Sequence, residues 1–113
     1  MHETSIVLST ISIVEDEARK HGVSKINSIT MCIGELTCVE KETLRGCFDV
    51  AVESGALAGA KLIIEPVAAV FRCEKCGASL GRKQWSGTCP KCAGGDVCLE
   101  QGRELYVKSF EAD

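Results

Sequence analysis

The amino-acid sequence predicts an α+β fold, a small three-stranded sheet with two helices, plus an inserted zinc-ribbon module. Two observations favour this fold. Two helical and three strand patterns fill most of the 113 residues. Four cysteines near the C-terminal end follow the spacing Cys73-x₂-Cys76-x₁₂-Cys89-x₂-Cys92. A chain of this length suffices for one domain, or for one domain and a small module.

Two amphipathic helices are predicted from apolar residues that repeat at three- and four-residue intervals. The first covers residues 4–21 and ends before Gly22, and the second covers residues 41–54 and ends before Gly55. Their apolar stripes comprise Val7, Ile11, Val14 and Ala18 in the first helix and Leu44, Phe48, Ala51 and Val52 in the second.

Three strands are predicted from alternating apolar residues, over residues 25–34, 61–71 and 104–110. The second strand contains Pro66, which cannot donate a ladder hydrogen bond and therefore marks an edge or a bulge. We expect the helices and strands to share one core, built from residues 1–70 with 99–113. Residues 71–98 are too short for a core of their own and are expected to form the metal module.

The four spaced cysteines predict a structural metal site. Each Cys-x-x-Cys turn brings two thiolates to one point, and two such turns supply the four sulfur ligands of tetrahedral Zn²⁺. Gly77 after the first pair and Pro90 inside the second suit tight knuckle turns. Iron also accepts four sulfurs, and disulfides or a redox Cys-x-x-Cys are further alternatives. The remaining cysteines are expected to be small buried or half-buried thiols, and they are Cys32, Cys38, Cys47 and Cys98.

Composition favours a cytoplasmic protein with reduced thiols, because the chain shows no signal-peptide pattern and no long apolar run. Its 13 basic and 16 acidic side chains give a formal net charge of −3. An acidic protein is a poor binder of nucleic acid or of an anionic membrane. We therefore expect neither of them as a partner.

The first three residues can chelate a second metal. The amine of Met1, the backbone nitrogen and imidazole of His2, and the backbone nitrogen or carboxylate of Glu3 can complete a square of ligands, which suits Ni²⁺ or Cu²⁺. A solvated terminal histidine is the alternative. A cation at this point faces the positive end of the helix dipole, so a further carboxylate is expected to offset it. Glu40 is the candidate, and its alternative role is to stabilise the second helix as a first-turn acid.

Four motifs occur along the chain: Met1-His2-Glu3, Ile33-Gly34-Glu35-Leu36-Thr37-Cys38-Val39-Glu40, Cys47-Phe48-Asp49, and the late cysteine quartet. Together they resemble the HypA/HybF family, the nickel-insertion factors of NiFe hydrogenase, and the resemblance covers essentially the whole chain. It implies nickel binding through the His2–Glu3 N-terminus and zinc at the four quartet cysteines. In some members the acid matching Glu40 is an aspartate that helps to bind nickel.

The function implied by this resemblance is that of a nickel metallochaperone, not an enzyme, that delivers Ni(II) for assembly of the hydrogenase active site. The implied partners are the GTPase HypB and the hydrogenase large subunit. We expect the protein to be a monomer or a weak homodimer.

Two other functions fit parts of the sequence. A zinc-ribbon nucleic-acid or protein-interaction module could use Phe71, Arg82, Lys83 and Trp85 for stacking and phosphate contacts, but the acidity of the chain argues against it. A metalloenzyme is disfavoured because the chain has only two histidines, too few for a three-histidine zinc site, and no recognisable base–nucleophile pair.

Overall fold

The structure, a computed structural model, describes residues 2–84 and 87–113. The chain divides into two compact units. The first comprises Met1–Cys32, Cys38–Glu65 and Tyr106–Asp113, and the second comprises Ile33–Thr37 and Pro66–Leu105. The predicted division, with a separate ribbon over residues 71–98, has different boundaries and stays a prediction.

The described residues form the secondary structure of an α+β protein. Helix α1 covers Glu3–Lys20 and helix α2 covers Lys41–Ala51. The strands, in chain order, are β1 (Ile26–Gly34), β2 (Lys61–Val67), β3 (Val70–Cys73), β4 (Ser79–Gly81), β5 (Val97–Gln101) and β6 (Leu105–Ala112). Short 3₁₀ turns lie at Glu35–Thr37 and Arg82–Gln84. In the part of the chain that the structure describes, no helix has the length and apolar character needed to cross a membrane.

The first unit contains the two helices and most of a three-stranded sheet in the order β2-β1-β6, so the predicted fold class is confirmed. Its core side chains come from both helices and the central strand, and they include Ile6, Val7, Val14, Ile26, Ile29, Met31, Leu44 and Phe48. Thr10 is also buried, and its Oγ1 donates to the carbonyl of Ile6 at 2.8 Å. The stripes predicted from helical spacing mostly face the core. Ile11 is half-buried and Ala51 is exposed, which corrects the expectation for Ala51; the other predicted stripe residues are buried, and they are Val7, Val14, Ala18, Leu44, Phe48 and Val52.

The single strand predicted over residues 61–71 is wrong, because β2 and β3 belong to different sheets. Between them the buried Ala69 donates its N–H to Oε1 of Glu35 at 2.8 Å. Gly102 passes directly behind Ala69, with φ of 130°, and a Cβ on Gly102 would lie 2.8 Å from the Ala69 Cα. Small residues are therefore needed where Ala69 and Gly102 cross. The Ala69 N–H, which a continuous strand would pair with a neighbouring strand, is bound by the Glu35 carboxylate.

Helix α2 ends at Ala51, before the predicted Ser54. The chain turns at Gly55, which has φ of 86°, and the N–H of Gly59 donates to the carbonyl of Val52 at 3.2 Å. The Val52 carbonyl therefore accepts a hydrogen bond from this turn, and not from a further turn of helix, so α2 does not continue.

The second unit contains an antiparallel sheet in the order β4-β3-β5. Its core is small. Leu80 is buried together with the sulfur-bearing Cys73 and Cys89, and Phe71 and Val97 pack against them. So few apolar side chains are a weak source of stability for a segment of this size, which makes a metal the natural stabiliser.

Candidate metal centres

The four predicted zinc ligands lie together in the second unit. Their sulfur atoms all lie within 4.8 Å of one another. The Sγ atoms of Cys73 and Cys92 are 3.5 Å apart, and those of Cys76 and Cys89 are 3.7 Å apart. In a tetrahedral site with Zn–S bonds of about 2.3 Å, the sulfurs are separated by about 3.8 Å, whereas a disulfide needs about 2.05 Å. The quartet therefore fits one four-coordinate metal, and such a closed shell leaves no position for a substrate.

Each Cys-x-x-Cys pair lies on the same kind of turn. The residue after the second cysteine, Gly77 in one turn and Ala93 in the other, has a left-handed backbone with φ of 76° and 60°. Each of these residues donates its N–H at 2.8 Å to the carbonyl of the first cysteine of its pair, Cys73 or Cys89. The predicted knuckle turns are thus present. Ala93 accepts a conformation that costs an L-residue about 1–2 kcal/mol.

Backbone amides in these turns favour the thiolate form of two cysteines. The amide of Cys76 lowers the pKa of Cys73, and the amides of Cys92 and Lys91 lower the pKa of Cys89 to about 7. At Cys92 the Gly94 amide acts in the same direction, but the neighbouring Cys73 sulfur and desolvation by burial outweigh it and raise the pKa to about 12. Four thiolates at this spacing repel one another, so a cation is needed to keep all of them ionised.

The other four cysteines only partly follow the prediction. Cys32 is buried and Cys47 is half-buried, but Cys38 and Cys98 are exposed, which corrects the expectation for these two. Cys38 lies in the turn before α2 with φ of 60°. Cys98 lies on β5 and its Sγ donates to Oε1 of Glu74 at 3.3 Å, which raises the pKa of the thiol.

The predicted nickel ligands lie where the two helices begin. His2 is the N-cap residue of α1, with extended backbone (φ −82°, ψ 147°), and its exposed side chain makes no capping hydrogen bond. Oε2 of Glu3 accepts the N–H of Glu40 at 3.1 Å, and this bond lowers the pKa of Glu3. Glu40 is itself the N-cap of α2, and its Oε1 accepts the N–H of Glu42 at 2.9 Å. The structure thus joins Glu3 to Glu40, while Met1 lies outside the described residues.

The two acids differ from the cysteines in how they are placed. Within residues 2–84 and 87–113, the cysteine quartet is the only group of three or more His, Cys, Asp or Glu side chains gathered closely enough to hold a metal. The carboxylates of Glu3 and Glu40 bind backbone amides instead. A cation at this edge would therefore depend chiefly on nitrogen ligands, with the carboxylates close by.

Two of the four residues that could suit a nucleic-acid surface make other contacts. Phe71 packs against the core of the second unit, and Nη1 of Arg82 lies 3.8 Å from Oε2 of Glu35. Lys83 is exposed, and Trp85 lies outside the described residues. The aromatic stacking platform that such a surface requires is not formed by Phe71.

Comparison with known proteins settles the family. Residues 1–112 match the family described as "Hydrogenase/urease nickel incorporation, metallochaperone, hypA". This chain belongs to the HypA family. It is 42% identical over 110 residues to the hydrogenase maturation factor HypA of Chlorobaculum parvum, with 97% of each chain covered. It is 31% identical over 113 residues to the hydrogenase maturation factor HybF of Morganella morganii, with 100% of each chain covered.

Solved structures agree with this HypA assignment. The solution structure of the Ni metallochaperone HypA from Helicobacter pylori matches with a TM-score of 0.67 and 28% identity, over 99% of this chain and 97% of that chain. A second HypA solution structure matches with a TM-score of 0.74 and 29% identity, over 99% and 96%. As a HypA protein, the chain is a nickel metallochaperone of hydrogenase maturation, with nickel as cargo and a structural zinc for which the cysteine quartet is the fitting site.

Proposed function

We propose that this protein binds Ni(II) at its N-terminus and delivers it for assembly of the NiFe hydrogenase active site. The observation that supports this most directly is the hydrogen bond from the Glu40 N–H to the Glu3 carboxylate, at 3.1 Å. It ties the first turn of α1 to the start of α2. The exposed imidazole of His2, the main chain of Glu3 and the carboxylate of Glu40 are thereby held at one edge of the first unit.

The ligands we assign form a square of nitrogens. They are the amine of Met1, the backbone nitrogen and imidazole of His2, and the backbone nitrogen of Glu3. The first amides of a helix have no partner within the helix, so their use as ligands breaks no helical hydrogen bond. The carboxylates of Glu3 and Glu40 offset the positive end of the helix dipole, and the second oxygen of Glu40 can approach the metal axially.

This arrangement suits a carrier rather than a catalyst. Ligands at the end of a chain can release a metal without disturbing the core, and the quartet site is closed to substrates. We therefore assign no catalytic step to the protein. The partners that fit this role are the GTPase HypB, as co-chaperone, and the hydrogenase large subunit, as recipient, all in the cytoplasm.

Hydrogenase maturation in cells that lack their own copy of this factor tests the proposal. The wild-type gene should restore hydrogenase activity, and His2→Ala should not. Excess nickel in the medium should partly restore the activity of the His2→Ala strain, because the variant lacks delivery and not a chemical step. Full activity with His2→Ala at low nickel would contradict the proposal.

A further inference from the structure

An apolar groove lies on the outside of the first unit, between α1 and α2. Its volume is about 640 Å³. The groove begins at Thr4, one residue after Glu3, and continues along Val7 and Leu8 on one side and Cys47 and Val50 on the other. Leu8 is 59% exposed and Val50 is 68% exposed. Two large apolar side chains thus border the same groove and face solvent, an arrangement typical of a binding surface.

The two flanks of the groove differ in charge. On α2, Glu42, Gly46 and Asp49 follow i, i+4, i+7 spacing and therefore form one stripe beside the groove residue Val50. Both acids are exposed, and neither forms an ion pair with any residue that the structure describes. The nearby Arg45 donates instead to the carbonyl of Leu62 at 2.6 Å. This flank is therefore acidic.

Beside the groove, whose α1 lining ends at Leu8, the α1 flank is neutral. Ser5, Ser9 and Ser12 are exposed and lie beside Leu8 on the helix surface. A helix bound in the groove therefore has one preferred direction, since only the edge of that helix that faces α2 meets negative charge.

Charge complementarity decides among the possible occupants. A second copy packed on the same groove around a twofold axis would bring acidic flanks into one interface, and like charges juxtaposed at an interface oppose association. An anionic membrane or a nucleic acid would also be repelled by the acids. A helix with apolar residues at i, i+3, i+4 and i+7 fits a groove between two helices, and basic residues along one of its edges fit the α2 flank.

We propose that this groove binds an amphipathic helix of a partner protein, apolar on one face and carrying Lys or Arg along one edge. This proposal rests on the proposed function in one respect. If nickel is bound by the N-terminal ligands, a partner in the groove lies next to Thr4 and therefore beside the point where nickel would be exchanged.

Binding measurements with two probes test the proposal. The first probe is purified GTPase HypB. The second is a synthetic helix of about five turns, with leucines on one face and lysines along one edge, beside a matched peptide with glutamates in place of the lysines. The groove variants are Val50→Gln and Asp49→Lys. The matched control is Ile63→Gln on β2, since Ile63 is also exposed, at 46%, and lies outside the groove.

The expected results are ordered. Val50→Gln should weaken binding of the lysine peptide and of the GTPase by about tenfold, because a central apolar contact is lost. Asp49→Lys should weaken both by about threefold or more and reduce the dependence of affinity on salt. Ile63→Gln should change affinity by less than about twofold, and the glutamate peptide should bind at least about tenfold more weakly than the lysine peptide.

Other results would overturn the proposal: no binding of either probe by the wild type, equal affinity for both peptides, or equal effects of Val50→Gln and Ile63→Gln. A homodimer that Val50→Gln dissociates would assign the groove to a second copy instead. Nickel content is measured on the groove variants and on Ile63→Gln, and in these it should not change. Loss of nickel binding only in His2→Ala separates the metal site from the groove, so the two proposals can fail independently.

Discussion

Replacing one zinc ligand, Cys89→Ala, is expected to unfold the second unit while the first unit persists. Leu80 is the large apolar side chain of the buried cluster that it forms with Cys73 and Cys89, and burial of one leucine contributes about 1.5–3 kcal/mol. Zinc binding in small metal modules contributes about 10–16 kcal/mol. The metal therefore outweighs the core several-fold, and a shell with three sulfurs cannot hold the unit as four do.

The assay combines zinc content by mass spectrometry with amide NMR spectra of both units. Cys89→Ala should lose zinc, and the amide signals of Leu80 and Val97 should collapse into the unfolded range, while those of Val14 and Ile29 remain. Cys98→Ala is the matched control, since Cys98 lies on β5 outside the quartet and should keep full zinc content. A Cys89→Ala protein with full zinc content and unchanged signals for Leu80 would refute the reasoning.

Further predictions concern the backbone, the ribbon and the N-terminus. Gly34→Ala should lower the free energy of unfolding by at least about 1–3 kcal/mol, because its Cβ would overlap the backbone carbonyl of Gly102 and lie 2.7 Å from the Arg103 nitrogen. Gly46→Ala has no atom within 4 Å of its Cβ and should be neutral or stabilising by about 0.5–1 kcal/mol in thermal unfolding. A chain with residues 71–98 replaced by a short Gly/Ser linker should fold and bind nickel, and a molten NMR spectrum would contradict this. One residue added before the native terminus should weaken nickel binding in calorimetry more than Glu40→Gln does, since the extension converts a ligand amine into an amide; the reverse order would exclude the amine.

Local periodicity predicts the helices and the central strand well. The first helix differs from the prediction by only one residue at each end. The agreement is close because the apolar stripe and the Gly22 stop signal both lie within one short stretch of the sequence. The break between β2 and β3 could not be found in this way. The break depends on two residues that are far from it in the sequence. The Glu35 carboxylate accepts the Ala69 N–H, and Gly102, which has no side chain, can lie against Ala69.

The two metal sites also differ in how far local sequence predicts them. The quartet is predictable because each Cys-x-x-Cys turn forms its own geometry, and only the meeting of two turns requires the fold. The N-terminal site is less predictable, since the bond between Glu3 and Glu40 spans 37 positions and involves a backbone donor that leaves no mark on the sequence. The acidic flank at Glu42 and Asp49 could have been found from helical spacing, but only the structure shows that a groove lies beside it.

Nickel calorimetry on protein with its native terminus tests the central claim most directly. The wild type should bind one nickel ion per chain, and His2→Ala should lose tight binding while keeping its zinc, because this substitution removes the only imidazole of the assigned ligands. Equal nickel affinity in the wild type and in His2→Ala would contradict the assigned site and the delivery function built on it.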